Sequence, residues 1–443
     1  MIKYIYHLYC KSFLPKSLIT FFYIFIIKFY NLKELKKKNK HRLLILNSNR
    51  FKQDLDILIE KNYYAIIRFP TKWQFRLLSP WLKSYDSSSL NKKKHYHYLY
   101  ATNKDGVVIQ KEVQEFLSKI FPSILKFFKI NCVISPSVNY IQDVDLGEVS
   151  KNFGVPYVVI HKENLLSAQK KKSLDFFNKL RLSKSNLILT SNRNTQNIIK
   201  STIGKNCNTK AVGLLRMEDF FEKLNKNKNK NRTKSSVKTI TLFSFTHGSG
   251  IRLFLQKVGY FDQSGWVKLF ESVHNQIINF ADKNDKVKLF IKVKWSGEWE
   301  EKIYQNWFKF SGSNKLPKNC IITDKIDVHE LILRSDLIIG FNSTAVLESG
   351  LKNIPVIIPN FCEAKSKYRK YTMLSFCKKE FSIVNSEKEF IKTVVKKLKN
   401  GKISSGCMNL RKKLFIDNVS DINKSIFKNY KKSINNIISH SKI

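Results

Sequence analysis

The sequence predicts an α/β protein built from two doubly wound parallel-sheet domains. Three observations carry that expectation. Short apolar runs alternate with amphipathic helical stretches through both halves of the chain, joined by short loops. One low-complexity, polar and basic stretch, 222–237, shows no apolar periodicity and reads as an exposed linker. The stretch 336–359 fits strand, helix and strand into 24 residues, a tight βαβ unit whose strands must run parallel. With 443 residues the chain has room for two or three domains. The expected boundaries are a segment at 1–40, a first domain at 41–221, the linker, a second domain at 238–402 and a basic helical tail at 403–443.

The elements follow in order. Residues 17–27 are apolar between Lys16 and Lys28, with a basic cluster at 33–42. Eleven residues are too few to span a bilayer, which takes about 20. No small-residue cleavage site follows, which argues against a signal peptide. Such a segment suits a helix lying on an anionic membrane surface, or an ordinary helix at the edge of a core. Strands are expected at 42–47 and 63–69, with a helix at 53–61 between them. Residues 72–99 mix aromatic and basic side chains without a nucleic-acid signature and are expected to pack under a helix. A helix with apolar spacing covers 111–129. The alternation then continues with strands at 132–135, 155–160, 186–190 and 209–212, and helices at 147–153, 171–182 and 192–200.

In the second half, strands are expected at 239–245, 287–293, 320–323, 337–341, 354–359 and 383–384. Helices are expected at 266–281, 298–310, 328–334, 344–351, 387–398 and, in the tail, 408–440. Two loops stand out. His247, Gly248 and Ser249 follow a strand and could cradle a phosphate, although the spacing is not that of a P-loop. Asn342, Ser343 and Thr344 follow another strand and are residue types that cap a helix. Beyond the carboxyl end of a parallel strand, their hydroxyls and amides suit an anion. Glu348 lies four residues after Thr344, on the same helix face, where it could accept hydrogen bonds from ribose hydroxyls. The plainer alternative is a capped helix with a solvated Glu348.

Composition narrows the partners. Lys and Arg number 80 against 34 Asp and Glu, a net charge of +46. That points to an acidic partner: nucleic acid, an anionic membrane surface or a phosphorylated substrate. An AT-biased coding sequence, rich in Lys, Asn, Ile and Phe, accounts for part of the excess. A hydrophobic content of 43% argues against wholesale disorder. The seven cysteines show no metal-ligand spacing and fit free thiols in a reducing cytoplasm.

The order of motifs in the second half resembles a known group. A strand ending in Lys292 and Lys294 precedes CIITD at 320–324. A short helix and then GFNSTAVLESG at 340–350 follow. This resembles the carboxyl-terminal half of GT-B-fold glycosyltransferases of bacterial surface-polysaccharide biosynthesis, including capsule Kdo-type transferases and CDP-glycerol glycerophosphotransferases. VGLLRMEDFF at 212–221 resembles the Gly-x-x-Arg-x-x-Asp segment that ends the amino-terminal domain there. The resemblance covers about residues 130–400. It implies two Rossmann-like domains facing a cleft, with the acceptor on the first and the nucleotide-sugar donor on the second. It implies transfer of a sugar or polyol phosphate to a glycan or lipid-linked acceptor, with no obligatory metal or other cofactor and no specific nucleic acid. The protein is then expected in the cytoplasm, peripheral to the inner face of the membrane.

His247, Gly248, Ser249, Lys292, Lys294, Asp324, Asn342, Ser343, Thr344 and Glu348 are the expected donor-binding residues. The Lys-x-His-Pro that relatives carry is replaced here by Lys294-Trp295-Ser296, and Glu348 is followed eight residues later by Val356 rather than by a second Glu. That departure from the retaining pattern favours an inverting reaction or a divergent site, and inversion needs a base for the acceptor hydroxyl. Glu163 is the first choice, directly after the most apolar strand of the first domain, with His161, Asp143 and Asp145 as alternatives at strand ends. Arg216 and Asp219 are expected to fix the linker. Two other functions remain open: an enzyme like UDP-GlcNAc 2-epimerase, which shares this two-domain fold, and a non-catalytic polyanion-binding protein.

Overall fold

The computed structural model describes residues 15–88, 104–138, 140–162, 170–178, 180–228, 236–251, 264–294, 297–422 and 425–441. The chain divides into two compact units. The first is drawn from Met1–Leu165, Lys171–Glu218 and Ser420–Ile443, and the second is built on Asp219–Val419. Each unit holds one six-stranded sheet in which every neighbouring pair is parallel. The expected α/β architecture of two doubly wound sheets is therefore observed.

In the first unit the strands are β1 (Arg42–Ile45), β2 (Ala65–Arg68), β3 (Cys132–Ser135), β4 (Tyr157–His161), β5 (Leu187–Thr190) and β6 (Asn208–Ala211), in the order β2-β1-β3-β4-β5-β6. Strands β3, β4 and β5 are buried at every position, as a sheet covered by helices on both faces requires. The polar strand β6 sits at the edge, where an exposed side is tolerated. In the second unit the strands are β7 (Lys238–Phe243), β8 (Val287–Lys292), β9 (Cys320–Thr323), β10 (Leu337–Gly340), β11 (Val356–Pro359) and β12 (Ser382–Val384). Their order, β9-β8-β7-β10-β11-β12, is the 3-2-1-4-5-6 order of dinucleotide-binding sheets.

Three expectations differ from what the chain does. Asp143 and Asp145 were expected at strand ends but lie inside the helix Ile141–Asn152, six residues longer at its start than the sequence suggests. Gly147, expected to open that helix, sits in its middle. A Cβ there would come within 2.4 Å of the Tyr157 ring, so glycine lets the helix press onto β4. The single tail helix expected at 408–440 is two helices, Ser405–Asn418 and Ile426–Ser439. The break comes where Ser420 Oγ accepts from the Leu214 amide (3.3 Å), and Ser425 caps the second helix through the Lys428 amide. Part of the expected linker is also ordered, because the helix Met217–Lys228 runs into it and carries the chain from one unit to the other. Arg216 pairs with Asp54 (3.5 Å) within the first unit.

Candidate functional site

In the second unit the strand order reverses between β7 and β10, and the crevice beyond their carboxyl ends is where open α/β sheets bind ligands. The two loops singled out from the sequence leave those two strands. The fold joins them through Asn342. Its Nδ2 donates to the Ser249 carbonyl (3.1 Å) and the Tyr371 carbonyl (3.2 Å), while its Oδ1 accepts from the Met373 amide (2.8 Å). Asn342 adopts a left-handed backbone (φ 46°), which asparagine tolerates better than most residues. Gly250 also has positive φ (74°), and a Cβ there would stand 3.0 Å from Asn342 Nδ2. Ser249 closes its own loop by accepting from the Thr246 amide (2.9 Å), and its carbonyl also accepts from Trp266 Nε1 (2.7 Å). Asn342 thus acts as a clamp between loops.

Ser343 caps the helix Thr344–Ser349, its Oγ accepting from the Ala345 amide (3.2 Å). Ser343, Thr344 and Ser249 are half-buried at these strand ends. Glu348 is not solvated. It is buried, with Oε2 3.1 Å from Nε2 of His329. The imidazole stacks on Phe220 (centroids 4.3 Å apart, planes at 21°). Asp327 places His329 in the first turn of the helix Val328–Arg334 by accepting from the His329 and Glu330 amides. A buried carboxylate needs such a partner. The sequence reading missed His329. The signal was an Asp two residues before a His at a helix start, immediately upstream of the strand leading to Asn342.

Lys292, at the end of β8, donates to the Asp324 carbonyl (2.5 Å). Burial holds its pKa below the ordinary lysine value, while the charges of Asp324 and Asp327 act in the opposite direction. Lys294 is exposed and Asp324 half-buried. His247 and Gly248 are buried, with the imidazole of His247 edge-on to Phe270 (5.1 Å) and Trp299 (5.2 Å). Behind it lies His274, whose pKa burial lowers to about 4. Its Nδ1 is 2.7 Å from the Phe270 carbonyl and so carries the proton, leaving Nε2 to accept from Ser244 Oγ (2.9 Å). The structure brings Ser249, Asn342, Ser343 and Thr344 together at one strand-end crevice. It turns His247 into an aromatic wall. Among the described residues, no group of three or more His, Cys, Asp or Glu could hold a metal ion.

The first unit reverses between β1 and β3. Asn47 follows β1 in a left-handed conformation (φ 50°), and its amide donates to Gln74 Oε1 (2.8 Å). Gln74 Nε2 donates to Asp143 Oδ1 (2.5 Å), and Ser135 Oγ donates to Asp143 Oδ2 (3.1 Å). Asp143 therefore reaches the end of β3 from its helix. Burial pushes its pKa up to about 7, against the opposing hydrogen bonds from Gln74, Ser135 and Asn47. His161 ends β4, buried, with Nδ1 3.4 Å from Ser137 Oγ. Asp145 is held by Arg181 (2.9 Å) and Gln114 (3.0 Å). Glu163 lies outside the described residues.

No protein-family model and no curated protein matches the sequence. Solved structures do match in overall course. A UDP-GlcNAc 2-epimerase from Neisseria meningitidis bound to UDP-GlcNAc is 11% identical, covering 88% of this chain and 100% of its own, with a TM-score of 0.45. The wall teichoic acid polymerase TagF is 10% identical over 96% of this chain and 97% of its own, at 0.45. MurG from Acinetobacter baumannii is 10% identical over 90% and 99%, at 0.42.

Proposed function

We propose that the chain is a GT-B-type glycosyltransferase, moving a sugar or polyol phosphate from a nucleotide donor to a surface-polysaccharide or lipid-linked acceptor. One observation carries the reading: the two anion-suited loops picked from the sequence both leave the reversal point of a sheet with the dinucleotide-binding strand order. There the Ser249, Ser343 and Thr344 hydroxyls donate to the donor phosphates. Lys292 and Lys294 supply positive charge as the leaving phosphate forms. Glu348, oriented by His329, accepts from the ribose hydroxyls one helical turn behind. Glu163 takes the proton of the acceptor hydroxyl. His161, Asp143 and Asp145, the other three candidates, are enclosed in the first unit, Asp143 engaged by Gln74 and Ser135 and Asp145 by Arg181 and Gln114.

Thermal unfolding of the full chain with CMP, CDP and UDP tests the donor half. One of the three should raise the melting temperature by several degrees, and Glu348→Ala should remove that shift. Glu163→Gln should abolish transfer and keep the shift. Stabilisation by none of the three, together with tight nucleic-acid binding, would sink the reading. Isomerisation of the donor sugar without transfer would sink it as well, in favour of an epimerase.

A further inference from the structure

The helix Lys16–Tyr30 presents two apolar faces, and the fold uses one. Ile19, Tyr23, Ile26 and Ile27 are buried in the first unit. On the other side Leu18 (51% exposed), Phe21 (69%), Phe22 (40%), Phe25 (61%) and Phe29 (66%) face outward. With about 100° between successive residues, these five fall within an arc of about 100°, one continuous stripe. Leu32, 51% exposed, follows after the helix ends. Four exposed phenylalanines on one helix are more than a monomer's surface usually leaves uncovered.

The surroundings say what covers the stripe. Residues 16–40 hold seven lysines and one glutamate, and that glutamate, Glu34, is already paired with Lys37 (2.7 Å). A second copy of this chain would bring these lysines against their own kind, on a molecule of net charge +46. An anionic lipid surface satisfies both features, because phenylalanines enter the acyl boundary and lysines meet headgroup phosphates. The helix has 15 residues, about 22 Å, which is short of a bilayer's hydrocarbon core. Among the described residues no helix is long and apolar enough to cross a membrane. The orientation that fits is in the plane of the surface, with the core-facing residues still packed.

We propose that the outer face of the helix Lys16–Tyr30 is a docking surface for an anionic phospholipid bilayer. This goes beyond the transferase reading and does not depend on it. Flotation of the full chain with vesicles of phosphatidylcholine and phosphatidylglycerol in a three-to-one ratio tests it. Binding should be at least tenfold weaker to phosphatidylcholine alone and should fall as salt rises. Replacing Phe21, Phe25 and Phe29 together by Ser should weaken it at least tenfold, with the far-UV circular dichroism and melting temperature retained. Should that variant fold poorly, Phe25→Trp gives a second readout: its added emission should shift to the blue when vesicles are present. The proposal is overturned if the chain ignores the mixed vesicles, if the triple variant binds as well as the parent, if the added tryptophan emission does not move, or if the triple substitution dissolves a dimer while vesicle binding is absent.

Discussion

The two sheets reverse direction at equivalent places, yet they fill those places differently. At the reversal in the second unit, Ser249, Ser343 and Thr344 are half-buried, and Asn342 ties the loops together. At the reversal in the first unit, Gln74, Ser135, Ser137 and Asp143 are each 0% exposed, and hydrogen bonds link all four. A reversal point offers a ligand site only if the chain leaves polar atoms facing out. In the second unit one side chain, Asn342, ties the loops together through backbone groups, while the Ser249 and Ser343 hydroxyls each accept from an amide of their own loop. The first unit plugs the equivalent position with a carboxyl from its own helix.

The largest expected effect tests the clamp. Asn342→Ala removes three hydrogen bonds, each with a net value of about 1 kcal/mol, and leaves alanine in a left-handed backbone that costs about 1 kcal/mol more. Urea unfolding should therefore show a loss of about 4 kcal/mol, and nucleotide protection should vanish with it. A loss under about 1 kcal/mol would mean that the loops hold together without Asn342.

The plug is tested by pH. The folded pKa of Asp143, near 7, lies above its unfolded value of about 3.9, so the native state holds the proton more tightly. The stability from this group is full below about pH 4 and is lost as pH rises through 7. Asparagine keeps the acceptor for Gln74 and carries no charge. Asp143→Asn should flatten the decline between pH 4 and 7 and gain on the order of 2 kcal/mol at pH 8. A variant that is less stable than the parent at pH 8 would show that the ionised carboxylate is what the network needs.

How far these contrasts could be read in advance follows from the range of each interaction. The buried strands announce themselves, because a strand buried on both faces must be a short apolar run whatever surrounds it, whereas the polar edge strand β6 was legible only from its place in the strand–helix alternation. Asn342, Ser343 and Thr344 were legible as a group for the same local reason, since capping is set within one turn. The clamp was not legible, because the Asn342 partners lie 93, 29 and 31 residues away. The His329–Glu348 pair spans 19 residues and two elements, and neither residue alone says that the other is near. Asp143 and Asp145 misled because a helix with acidic residues at buried positions has no apolar stripe to betray it. The segment at 17–27 left two readings open, core or membrane, because its hydrophobicity runs all round. The fold buries one face and exposes the other.

A smaller effect is expected at His329. Changing it to Gln retains a donor for Glu348 at shorter reach, whereas Ala takes the imidazole partner from a buried carboxylate at a cost of about 2 kcal/mol. If the pair orients Glu348 toward a ribose, His329→Ala should weaken a ribonucleotide more than its 2′-deoxy form, and His329→Gln should restore part of the difference. Equal losses for both forms would reduce the pair to a packing contact.

Thr344→Val is the smallest change and separates fold from binding most cleanly. The side chain keeps its shape and loses one hydroxyl that no neighbour within the unit uses as a cap, since Ser343 performs that role. Stability should stay within about 0.5 kcal/mol of the parent, as at most surface positions. If the hydroxyl meets a donor phosphate, nucleotide affinity should fall about tenfold, the worth of one hydrogen bond to a charged group. Thr190→Val in the first unit serves as the control. That hydroxyl is buried at the end of β5 and bonded to the Asn192 carbonyl (3.2 Å), so the same substitution should cost stability and leave affinity alone. Opposite responses at the two hydroxyls would show that only the second sheet keeps its strand ends for a ligand. Parallel responses would remove the distinction between the two units.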